Sequence, residues 1–189
     1  TDANLSGSKL TNANLLEATL HGAKLARSDC SSSDMTRADL TDADLEGANL
    51  SGARLNEANM AGASMVGINL TNSQLGKAIL SKASLSSANM AGAQMEEADL
   101  RSATLEGADL SGANLTKANM GEANLQKTKL VSADLSGANL GGAIVVDADM
   151  TRVSALGANF SAANMQNSCL DGANLSGSNL AGASFSGVK

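Results

Sequence analysis

A leucine or methionine falls on nearly every fifth residue of this chain, and no other feature constrains its fold so strongly. Of the 37 multiples of five between 5 and 185, 24 are Leu and eight are Met; the exceptions are Cys30, Val145, Ala155, Phe160 and Phe185. Two residues earlier the chain is small, with Ala at 28 of 38 positions and Ser at six, so that space there is tightly limited. The intervening residue is often Asn or Asp, as in Ser111-Gly112-Ala113-Asn114-Leu115. This beat excludes a helix. Five residues turn through about 500° on a helical wheel, which would scatter the leucines around the axis. Gly, Asn, Ser and Asp recur in every unit and are weak helix formers.

A large apolar residue every fifth place, with a small one two before it, fits a chain that turns a corner in each unit. Leu then fills an axis and Ala lines a wall that bends close to it. The motif resembles the pentapeptide-repeat family, commonly written A(D/N)LXX, over essentially the whole chain from Ala3-Asn4-Leu5 to Ala183-Ser184-Phe185. That resemblance implies an all-β fold: a right-handed, four-sided parallel β-helix with four units, or 20 residues, per coil. Coils about 4.8 Å apart give some nine coils and a rod of roughly 44 Å. Every unit has five residues, so no inserted loop is expected. Residues 1–189 are expected to form a single solenoid domain. Because Thr1 opens inside the repeat without a Met, the chain is expected to be part of a longer or processed precursor.

In this arrangement four core columns run along the axis. One of them is Leu5, Leu25, Leu45, Met65 and onward to Phe185; another is Leu20, Leu40, Met60, Leu80 and onward to Leu180. Met adapts to irregular gaps, so its exchange with Leu needs no functional reason. Phe160 follows the undersized Ala155 by one unit, and its ring is expected to fill the space Ala155 leaves. With no Trp, no Tyr and two Phe, the core cannot be built on aromatic packing.

The chemistry-bearing residues are few. His21, the single histidine, lies on an outward position without partners for a relay or a metal site. Cys30 and Cys169 are nearly seven coils apart, about 33 Å, far beyond the roughly 7 Å a disulfide allows. The glycines follow the five-residue beat and serve corners, without the strand-to-helix context of a phosphate loop. Asn before Leu is expected to stack into ladders that support the wall. The outward Thr residues, among them Thr11, Thr41, Thr71 and Thr151, do not make the regular ladder of an ice-binding face. No catalytic residue, cofactor or metal is expected, and the chain is read as not an enzyme.

Net charge is −6, with 19 acidic and 13 basic residues. This argues against direct nucleic-acid binding. No apolar run approaches the ~20 residues of a membrane span. The protein is expected to be soluble, and cytoplasmic, or lumenal or periplasmic if Thr1 is a processed N-terminus.

Two functions follow from the resemblance. The first is a rigid scaffold or protein-interaction rod, with contacts at Ile144, Val146 and Leu156, where outward apolar residues gather, and a protein as partner. A homodimer through an uncapped end is also expected, using Phe185 and Val188. The alternative is DNA mimicry, in which certain family members resemble duplex DNA and bind the type II topoisomerase gyrase. B-DNA carries about one charge per 1.7 Å, so a 44 Å rod would match roughly 26 phosphates. Here the four sides carry net charges near −1, 0, −2 and −3, with acidic clusters only at 34–46 and 96–109. The family's quinolone-protecting members often carry projecting loops and a central Phe, whereas this chain has neither as a rule. The scaffold reading is therefore preferred.

Overall fold

Each unit is a short extended segment that ends in a tight turn, and the turn is set by one backbone bond. In every turn but one the N–H three places after the central residue donates back to its carbonyl, as in Ser8 to Leu5 (3.1 Å) and Ala113 to Leu110 (3.0 Å); after Val145 the Ala148 N–H donates to Ser168 Oγ instead. The second residue inside the turn has positive φ throughout, from Asp2 to Gly187, which is the type II pattern. Gly112 (φ +65°) takes this conformation without cost, but Lys77 (+58°), Arg37 (+56°) and Ala162 (+55°) take it as well. Corner geometry is thus imposed by the coil and not chosen by the residue.

The structure is a computed structural model and describes residues 1–189. Four such turns close a coil of 20 residues, so the chain stacks on itself in parallel: Asn4 bridges Lys24, which bridges Asp44. Between coils, Leu25 N–H donates to Asp44 O (2.7 Å), Lys24 N–H donates to Ala3 O (2.8 Å), and Arg27 N–H donates to Glu46 O (2.9 Å). The ladder runs unbroken from the first coil to the last, and no helix interrupts it. We number the sides one to four by their first core residues, Leu5, Leu10, Leu15 and Leu20.

Central and small positions both point inward. Fifty-five buried apolar residues form one continuous core, from Leu20 to Met165. The repeat thereby does in one dimension what a globular core does in three. Phe160 is fully buried, as its place in the fourth column requires, and none of the molecule's three depressions is lined by Ala155. Where Ser or Thr replaces Ala on the wall, the hydroxyl finds a partner, in most cases the backbone: Ser33 Oγ to Cys30 O, Ser73 Oγ to Leu70 O and Thr128 Oγ1 to Leu125 O, each at 2.7 Å. A buried hydroxyl with a partner costs little, which explains why Ser substitutes freely there. At the two ends the core is half covered. Leu5, Leu10 and Leu15 at one end, and Leu170, Leu175 and Phe185 at the other, are partly buried against it.

Candidate functional site

The outward residues decide what this rod can do, and most of them are engaged in holding the wall together. Asn or Asp before each central residue turns its Oδ1 onto the N–H two places on: Asp39 to Thr41, Asn114 to Thr116 and Asp134 to Ser136, at 2.9–3.1 Å. This satisfies a turn amide that the coil otherwise leaves open. Asn and Asp serve equally, because only the acceptor oxygen matters. The expected ladders exist too, though in part of the wall. Asn139 Nδ2 donates to Asn119, Asn159 to Asn139 and Asn179 to Asn159, at 3.0, 2.8 and 3.2 Å on side four. On side two Asn69 donates to Asn49, and Asn49 to Asp29.

These hydrogen bonds also hold several carboxylates in the charged form. The Thr36 hydroxyl and amide keep Asp34 below the ordinary carboxylate range, and those of Thr41 do the same for Asp39. Arg101 does so for Asp99, through two bonds of 2.8 and 2.7 Å. Such groups stay ionised and cannot act as general acids near neutral pH.

The acidic clusters do not form acidic faces. Residues 34–46 wind around the rod, with Asp34 on side three, Asp39 on side four, and Asp44 and Glu46 on side one. Residues 96–109 wind in the same way. Basic residues answer many of them: Arg54 lies 3.4 Å from Asp34, Arg101 2.7 Å from Asp99, Lys127 3.8 Å from Glu106. A continuous acidic row comparable to a phosphate backbone is therefore lacking.

The apolar stretch 144–156 is not one patch, and here the sequence expectation is corrected. Ile144 (43% exposed) and the half-buried Val146 share side one, while Leu156 (45% exposed) lies ten residues on from Val146, half a coil away on side three. Nearness along the chain misled, because neighbours in a solenoid are 20 residues apart. Leu156 instead shares its column with Leu16, the most exposed of the large apolar residues at 50%. Ile79, exposed on side four, is a further outward apolar residue and, like Ile144, stands where Asn or Asp is usual. Phe185 and Val188 lie in the last coil, Phe185 packed against the core and Val188 half-buried.

Three depressions mark the surface, all shallow and lined without a single apolar side chain. One, of about 630 Å³, lies over Gly121 and Gly141 on side four, with Lys82 and Arg101 at one end. The other two, about 350 and 300 Å³, both lie over Gly76 on side three. His21 is exposed, Cys30 is buried with its thiol 3.3 Å from Ser28 Oγ, and Cys169 is half-buried. No three His, Cys, Asp or Glu side chains converge in a way that could hold a metal ion. No helix is long and apolar enough to cross a membrane.

What the geometry defines is a quadrilateral β-solenoid whose function must lie in its outer columns. The chain belongs to the pentapeptide-repeat family: the family model for pentapeptide repeats matches residues 3–42, 33–72, 78–116, 93–130, 118–154 and 158–189. Among solved structures it is similar to HetL, a pentapeptide repeat protein involved in heterocyst differentiation regulation from the cyanobacterium Nostoc sp. strain PCC 7120. The identity is 32% over 100% of this chain and 87% of that one, with a TM-score of 0.80. It is also similar to the pentapeptide repeat protein Rfr23 of the cyanobacterium Cyanothece 51142, at 32% identity over 48% of this chain and 58% of that one, with a TM-score of 0.42. A third is QnrB1, a plasmid-mediated fluoroquinolone resistance protein, at 24% identity over 90% of each chain, with a TM-score of 0.43. No curated protein matches the chain.

Proposed function

We propose that this protein is a non-enzymatic interaction rod, a rigid scaffold that binds a protein partner along its sides. The observation that carries this reading is the contrast between wall and surface. The wall is periodic and hydrogen-bonded from coil to coil, whereas the outward columns are irregular, open and free of any enclosed pocket. Catalysis needs convergent groups in a desolvated cleft, and a convex rod with shallow polar depressions offers none. A stiff, flat-sided body suits recognition, because little conformational entropy is lost on docking. The full-length likeness to HetL, which takes part in regulation, supports the same reading.

DNA mimicry of a type II topoisomerase is the competing reading, and no feature favours it, since acidic residues wind around the rod beside basic ones. A gyrase supercoiling assay separates the two. A large molar excess of the protein should leave supercoiling unchanged, and inhibition would replace the interaction rod with the mimic. Small-molecule turnover lost in His21→Ala would overturn the non-enzymatic reading altogether.

A further inference from the structure

Side three carries a pattern that the wall does not require. Along its corner, Glu17, Arg37, Glu57, Lys77, Glu97 and Lys117 stand one per coil, alternating in sign over six consecutive coils. Within the chain this alternation already links neighbours: Arg37 to Glu17 and Glu57, and Glu97 to Lys77 and Lys117. Internal pairing alone would explain the alternation, but it would not explain what shares the side with it. Leu16 and Leu156 stand seven coils apart in one column and are the two most exposed large apolar residues of the protein. Midway between them the same column has Gly76, the site of the two depressions, followed one coil later by Glu96.

We propose that side three is a self-association surface, on which a second copy lies antiparallel about a two-fold axis between the coils of Gly76 and Glu96. A two-fold axis perpendicular to the rod and parallel to its strands keeps each column against itself and reverses the coil order. Leu16 then meets Leu156 of the second copy, so both exposed leucines are covered. Glu57 meets Lys117, and Lys77 meets Glu97, each pair occurring twice by symmetry. Glu96 enters the depression over Gly76, where Lys77 and the amides of Asn56 and Gln74 line the space beside the carboxylates of Glu57, Glu96 and Glu97. Gln74 meets Gln94, amide to amide. Like charges meet in two places: Glu96 among the carboxylates of that depression, with Lys77 beside it, and Asp34 opposite Asp134, where Arg54 stands 3.4 Å from Asp34, one coil from the point of contact. Apolar ends, complementary charges and a protrusion facing a depression thus share one axis.

The size of the surface sets its strength. Eight coils at about 4.8 Å and a side of three extended residues give a strip of roughly 38 by 10 Å, or about 800 Å² over both copies. Stable interfaces bury about 1,200–2,000 Å², so this is a transient dimer, populated at high concentration and at low salt.

Sedimentation equilibrium and small-angle scattering of the 189-residue protein test it. A concentration-dependent dimer should appear with nearly the same maximum dimension as the monomer and a thicker cross-section, and should weaken as NaCl rises from roughly 0.02 to 0.5 M. Leu156→Asp and Lys77→Glu should each raise the dissociation constant at least about tenfold. Lys77→Glu combined with Glu97→Lys should restore it, because both partners of each pair are exchanged. Circular dichroism confirms that each variant is folded. A monomer at every concentration, or a dimer indifferent to these substitutions, would overturn the proposal. A dimer with a doubled maximum dimension would overturn it in favour of end-to-end association through the coils of Phe185 and Val188.

Discussion

Arg37 Nε donates to Glu57 Oε2 across 3.1 Å, joining two corner residues that are 20 positions apart in sequence and directly stacked in space. The same guanidinium lies 3.6 Å from Glu17 in the preceding coil. Each charge on this corner therefore faces the opposite sign one coil away and the same sign two coils away. Reversing one member replaces two attractions with two repulsions. Arg37→Glu should lower the melting temperature measurably at low ionic strength. Both partners are largely exposed, so salt should screen the effect. Thermal melts at low and high NaCl check this, and a salt-independent loss would point to a packing defect instead.

The assignment of inward and outward positions can be tested inside one unit and the next. Ala113 is buried and Lys117 is exposed, four residues on at the corner. Ala113→Leu should overpack the wall at a cost of about 1–3 kcal/mol. Lys117→Ala should change stability by less than about 0.5 kcal/mol, since the wall does not depend on it. Chemical denaturation of both variants measures the difference, and equal costs would contradict the inward–outward division.

The corners predict an inversion of the usual rule for glycine. Ala162 is held at φ +55°. A left-handed conformation costs a residue with a Cβ roughly 1–2 kcal/mol. Glycine pays instead in unfolded-state entropy, roughly 0.5–1 kcal/mol. Ala162→Gly should therefore leave stability unchanged or raise it by up to about 1 kcal/mol, although Ala→Gly normally destabilises. A clear loss on denaturation would mean that the corner is not left-handed there.

The sequence was most legible where one residue type serves one job in every unit. Leu115 and Ala113 announce axis and wall because apolar volume and space cannot be exchanged without cost, so the fold could be read five residues at a time. Surface relations were harder to read, because their period is 20. Arg37 and Glu57 look unrelated in the chain, while Ile144, Val146 and Leu156 look adjacent and yet lie on opposite sides. Corner conformation was also hidden. Gly112 suggests a left-handed turn, but Arg37, Lys77 and Ala162 give no such hint, since coil closure forces it on them. Asn before Leu suggests ladders, and these form on parts of sides two and four; the role common to Asn and Asp is to accept from the turn amide two residues on, which suits either side chain equally.

That last role gives the pH dependence of the fold. Asp34 and Asp39 are held below the ordinary carboxylate range by Thr36 and Thr41, whose hydroxyls and amides donate to the ionised form. In the unfolded chain these groups titrate near about 3.9. A folded-state value lowered in this way contributes stability above the unfolded value and loses it as pH falls through the folded one. The melting temperature should therefore hold from neutral pH to about pH 5 and fall below about pH 4. Asp39→Asn keeps the acceptor for the Thr41 amide, as Asn69 does for Thr71, but it cannot be protonated in this range. The variant should melt near the wild-type temperature at pH 7 and lose less than the wild type at pH 3. An equal loss in both would show that Asp39 does not contribute to the acid sensitivity.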